Sequence, residues 1–362
     1  MAFNYDHGDI TIHVKNEQST GRHALSVSSD AMRRASKVWA TLLSGPFAEG
    51  RGETATLDYT EDATQAVLIV MDIIHLRFDR VPAILSLRGL RDLAVFTDKF
   101  DITHIVVPWL TGWLSWHSMK VNEKGSEVDW LWIAWEYGLL SVFNHVGKNL
   151  AFGSSHVAQS QAWGVFERDG MTDAAMLPPG TEDSILQARK DMTNTLLTLV
   201  YDYLDALLAS PDRPQAMAGP FGDRSKCRNS RCDCIRLQLG SLILALKSIG
   251  LYPRKTADEV DMLPSQLRDE LLKIRLSDCL NNELGRVNND RFSSVWRKTC
   301  GDFDGVQQVI GKSISETASF ATKEVLKHVE RQNIKAKLAA GLVPGVAGNM
   351  ILSLRTVLHK LG

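Results

Sequence analysis

The residues best suited to chemistry in this chain are three cysteines. Cys227, Cys232 and Cys234 form a C-x4-C-x-C cluster inside a basic segment, residues 224–236. Thiolates bind Zn²⁺ tetrahedrally, and neighbouring positive charge lowers thiol pKa values, which favours the metal-binding form. The usual C-x2-C pair is absent, so a fourth ligand has to come from Cys279, Cys300 or a histidine. Two readings follow: a structural zinc that staples the loop, or free thiols with Cys234 opening an apolar helix as a core residue. No ligand set with an open coordination position is visible. The expectation is therefore no cofactor, with structural zinc as the alternative.

Other candidate chemistry fails on spacing. GVQQVIGKS, residues 305–313, resembles a phosphate loop but places five residues between its glycines, where that loop requires four. It also lies inside helical periodicity with no apolar strand before it, so Lys312 reads as a solvated residue. The sequence contains no G-x-S-x-G, no H-E-x-x-H and no glycine-rich dinucleotide turn, and its histidines are scattered without a paired acid or cysteine. An enzyme is not expected. Lys323, Lys327, Arg331 and Lys335 recur every four residues as a basic stripe, and such a stripe is usually a solvated helix face. Trp109, Trp113 and Trp116 share one helix face, and Trp130, Trp132 and Trp135 follow closely. They read first as packing of the helices that close the first third of the chain against the next domain, and alternatively as an exposed contact patch.

The elements that position these residues come from 362 residues with 44% hydrophobic content, enough for two packing units. A net charge of −1 gives no long-range pull on a polyanion, so a nucleic-acid partner is not expected. No uncharged apolar stretch of about 18 residues is present, and no membrane span is expected. Five cysteines, no Asn-x-Ser/Thr sequon and an acidic opening (MAFNYDHGD) point to an intracellular location, cytoplasm or nucleus.

Ile10, Ile12 and Val14 alternate with polar residues, as do the residues of 23–27, which predicts a hairpin. Ser28-Ser29-Asp30 offers N-cap oxygens to a helix carrying Met32, Ala35, Val38, Trp39 and Leu42, stopped at Gly45-Pro46. A third strand is expected over 54–57. Asp62 is expected to cap a helix with Val67, Val70, Met71 and Ile74, and Ser86 a helix with Leu90, Ala94 and Phe100. Beyond a helix over 106–116, single helices are expected over 127–150, 183–209, 235–251, 264–280 and 306–338. Residues 154–180 and 210–223 read as loops. A few strands followed by many helices is an α+β pattern.

The order of these pieces resembles the BTB/POZ family over about residues 8–116. GDITIHV is similar to its first strand, LSVSSDAMRRASKVWATLL to its strand-into-helix segment, TLDYTEDATQAVLIVMDIIH to its central segment, and LRDLAVFTDKFDI to its Asp-Lys-aromatic helix. The flavour is similar to BTB proteins of filamentous fungi. The resemblance implies a BTB domain over 1–118 and a helical region of unknown class over 119–362. It implies a protein-binding role, as a self-associating scaffold or regulator, with a homodimer face near the first strand. Asp9 sits where the family places an acidic residue in a charged pocket, but Ser28-Ser29 replaces the family's His-Arg pair. Phe47 and Glu49 resemble an apolar-x-Glu signature of cullin-recruiting members, which makes a ubiquitin-ligase adaptor the alternative. A zinc-stapled, nucleic-acid-associated regulator is the third reading.

Overall fold

The structure, a computed structural model, describes residues 5–16, 21–44, 56–117, 126–153, 167–168, 171–172, 177–209, 234–277, 303–313, 320 and 322–339. The class is α+β: mostly helical, with one small three-stranded sheet. Two compact units are present. The first comprises residues 1–147, 175–181 and 321–362; the second comprises 148–174 and 182–320. The expected division at residue 118 borders the undescribed interval 118–125, and contacts group the helices at 127–136 and 323–339 with the N-terminal elements.

In the first unit, β1 (Ile10–Lys15) pairs antiparallel with β2 (Arg22–Val27) and parallel with β3 (Thr56–Tyr59), giving the order β2-β1-β3. Ile10, Ile12 and Val14 are buried, as their alternation requires. The helix expected after Ser28 is two helices, α1 (Ser29–Ala35) and α2 (Lys37–Ser44). Ser28 Oγ accepts from Ala31 N at 3.4 Å. The break falls at Ser36, whose hydroxyl donates to Phe100 O at 2.6 Å and accepts from Trp39 N at 3.1 Å. A buried tertiary acceptor thus competes successfully with helix continuation.

Helix α3 (Thr64–Ile74) begins after Ala63, which has no side-chain cap. Asp62, expected in that role, instead accepts from Lys99 Nζ at 2.8 and 2.9 Å. A single 3₁₀ turn (Phe78–Arg80) leads to α4 (Leu87–Phe100), where Ser86 caps as expected, accepting from Gly89 N at 3.0 Å. Then come α5 (Thr103–His117) and α6 (Glu127–Glu136). The core is aromatic. Trp39 lies 5.0 Å from Phe100, and Tyr59 meets Phe96 edge-on at 5.8 Å, a favourable arrangement for ring quadrupoles.

The single helix expected over 127–150 is also two, because Gly138 takes φ +68 and separates α6 from α7 (Leu140–Phe152). A left-handed backbone ends an α-helix, and glycine adopts it without a Cβ penalty. Helix α6 is buried on all sides, unlike an amphipathic surface helix.

The second unit holds a short β4–β5 pair (Glu167–Arg168, Met171–Thr172) and most of α8 (Thr181–Ala209). It continues with α9 (Cys234–Ser248), α10 (Pro264–Lys273) and α11 (Phe303–Ser313). Its core gathers Leu196, Val200, Tyr203, Leu242, Leu246, Leu267, Leu271 and Phe303. The helix expected over 306–338 is divided between α11 and α12 (Lys323–Ala339), and α12 belongs to the first unit. Among the described residues, no helix is long and apolar enough to cross a membrane.

Candidate functional site

Two arrangements in the first unit bear on function: an apolar surface along α5 and a titratable cluster at the end of α3. The surface arises because the segment following α3 is tied along α5 at three levels. The ring of Phe78 rests 5.6 Å from that of Trp109, Trp113 Nε1 donates to Pro82 O at 2.8 Å, and His117 Nε2 lies 2.7 Å from Leu85 O. The three expected tryptophan positions therefore part company. Trp113 is buried, with its N–H satisfied, Trp109 is half-buried beneath Phe78, and Trp116 is 60% exposed. Phe78 and Ile84, on the segment tied to this helix, are also exposed, and Leu76 just before it is 73% exposed. Large apolar side chains grouped this way on a surface mark contact sites more often than isolated ones do.

Leu76 is the C′ residue of α3. Its φ of +62 is unusual for a side chain with a Cβ, and Arg77 N closes the turn on Asp72 O at 2.8 Å. Beside it, Tyr5 donates to Asp72 Oδ1 at 2.9 Å, and its ring stacks on His75 at 4.3 Å. Burial pushes both the Tyr5 hydroxyl and the Asp72 carboxyl up. His75 Nε2 accepts from Ser28 N at 3.0 Å, and Nδ1 faces Met71 O at 2.8 Å. That pattern fixes the neutral tautomer with its proton on Nδ1. Burial holds the pKa of His75 down, although Met71 O and Asp72 pull the other way. The cluster links the N-terminal segment, α1 and α3. The Tyr5–Asp72 and Ser28–His75 hydrogen bonds make that link.

Asp9 keeps its carboxylate occupied within its own chain. Oδ1 accepts from Ser29 N and Oδ2 from Ser29 Oγ, both at 2.6 Å, while Arg33 Nη1 donates to Ser29 Oγ at 3.0 Å. Partial burial works to raise its pKa, but the Ser29 hydrogen bonds outweigh this and the net shift is downward. Arg33 therefore supplies the positive charge beside Asp9, one helical turn beyond Ser29.

Phe47 and Glu49 lie outside the described residues, as do Cys227 and Cys232; Cys234 opens α9, with only its backbone described. Among the described residues, no group of three or more His, Cys, Asp or Glu side chains is placed to hold a metal ion. The basic stripe belongs to α12, where Lys335 pairs with Asp101 at 2.7 Å.

The sequence reading missed Glu136. This carboxyl is fully buried among α4, α5, α6 and α12, with Thr103 Oγ1 against one oxygen and Gln332 Nε2 donating to the other at 3.1 Å. The signal was available: residues 127–137, EVDWLWIAWEY, place one acid near the end of a run too apolar to leave it in water.

A comparison with protein-family models finds no match, and comparisons with curated proteins and with solved structures find none either.

Proposed function

We propose that this chain is a protein-interaction protein of the BTB/POZ kind that self-associates through its first unit. The observation that carries the reading is the exposure of three large apolar side chains, Phe78, Ile84 and Trp116, on α5 and on the segment tied to it. Large aromatic side chains dominate contact energies because each buries a large area with few rotors to freeze. The order hairpin, helices, third strand, helices, on which the family resemblance rests, is the order present in residues 10–117, and it supports the same reading. With its carboxylate engaged by Ser29, Asp9 is a support for α1 rather than a free acidic contact, which favours the α5 surface as the docking face.

Light scattering on the full chain tests this. Mass should rise towards that of two chains in the micromolar range, and Phe78→Ala with Trp116→Ala should return it to one. A wild-type chain that stays monomeric at high micromolar concentration would overturn self-association.

A further inference from the structure

We propose that α12 is held in place by the proton on Glu136: the helix is docked while that carboxyl is neutral and loosens when it ionises. Helix α12 is joined to the rest of its unit by contacts far apart in sequence. Gln332 reaches Glu136 across 196 positions, Asn333 Nδ2 donates to Gly138 O at 2.7 Å across 195, and Lys335 pairs with Asp101 across 234. Val325 and Val329 are buried, and the His328 ring stacks on Trp135 at 3.9 Å. Glu136 therefore sits where the helix is fastened.

Three elements bring polar groups to this carboxyl, and burial outweighs those that would favour its anion. From α5 comes the hydroxyl of Thr103, which can accept the acid proton as readily as donate its own. From α4 come Thr97 and the carboxylate of Asp98, with Asp101 at that helix's end. From α12 come the Gln332 amide, Lys335 already paired with Asp101, and His328. Among the described residues Gln332 Oε1 is buried with no donor, so the amide that touches Glu136 has an acceptor to spare. Among the described residues no cation lies within hydrogen-bond reach of an ionised Glu136, and burying an unpaired charge is strongly unfavourable. Burial accordingly pushes this carboxyl up to about 8, with Asp98 adding to the effect and Thr103, Thr97 and Lys335 opposing it.

The sign follows from linkage. With its carboxyl raised in the docked state and near 4.5 when exposed, Glu136 binds more protons docked than free between those values. The Glu136 contribution to docking therefore weakens as pH rises through that window, and His328, whose pKa docking lowers, acts in the opposite sense only below about 6.5. The His328 imidazole is held down to about 4, chiefly by burial and then by Arg331 and Lys335, so it is already neutral across the upper part of the window.

Hydrogen–deuterium exchange on the full chain, expressed as protection factors, tests the idea. Between about pH 6.5 and 8.5, protection of residues 323–339 relative to α3 should fall on the order of tenfold. Glu136→Gln, which mimics the neutral acid, should abolish that fall. Equal protection at both pH values, or an unchanged fall in the variant, overturns the proposal. If the variant does not fold, carbon-13 titration of glutamate carboxyls in the wild-type chain decides. A glutamate midpoint above about 6.5 supports the proposal, and midpoints all below it overturn it.

Discussion

Gly138 and Asn333 meet backbone to backbone. Asn333 Nδ2 donates to Gly138 O at 2.7 Å, and a Cβ on Gly138 would fall 2.2 Å from Asn333 N and 2.4 Å from its Cα. No alanine fits there without moving α12. The φ of +68 at this position adds a second penalty, of about 1–2 kcal/mol for a residue with a Cβ. Gly138→Ala should therefore destabilise the chain by more than about 2 kcal/mol and expose α12 to exchange ahead of α3. Denaturant titration with hydrogen exchange checks both. A variant with wild-type protection over residues 323–339 would show that the contact does not hold α12.

The same glycine shows why part of the fold could be read from sequence and part could not. Alternation at Ile10, Ile12 and Val14 and the cap at Ser86 are local signals, and both appear where expected. The breaks at Ser36 and Gly138 are set by partners distant in sequence, Phe100 O and Asn333, and helical spacing of apolar residues runs through both without interruption. Asp62 illustrates the same limit: as a cap it was a local expectation, and the chain spends it on Lys99 from another helix. For the surface, spacing put Trp109, Trp113 and Trp116 on one face. The segment tied across α5 then decides which of them water reaches.

Leu76 should give a stability increase on replacement by glycine. It occupies the left-handed C′ position of α3 while its side chain is 73% exposed, so glycine removes a backbone penalty and little buried area. Glycine's larger unfolded-state entropy offsets part of this, leaving a net gain of about 0.5–1 kcal/mol. The midpoint of chemical unfolding reads the change. A midpoint at or below the wild-type value would count against strain at this position.

His75 should make the chain acid-sensitive. Its Nε2 must stay unprotonated to accept from Ser28 N, and its pKa in the folded chain lies below the ordinary 6.5. The folded state then binds fewer protons than the unfolded state just below that value, so stability falls as pH drops beneath about 6.5. His75→Gln keeps an acceptor and removes the titration. Melting temperatures of the two chains should draw together between about pH 7 and 5. A constant difference across that range would sink the assignment.

Ser36 offers the most direct test of how the first unit is held together. Its N–H donates to Met32 O at 3.0 Å, closing α1, and its C=O accepts from Ala40 N at 2.9 Å, opening α2. Its hydroxyl serves both Phe100 O and Trp39 N, and the residue is buried. Ser36→Ala keeps the backbone bonds but leaves a buried carbonyl and a buried N–H without partners. The cost of such orphaned groups is about 1–3 kcal/mol, well above that of removing a solvated hydroxyl. Thermal unfolding should therefore begin earlier in Ser36→Ala. Ser36→Thr, which retains the oxygen, should recover much of the loss. Equal destabilisation by both variants would mean that space around Cβ, rather than the two hydrogen bonds, is what Ser36 provides.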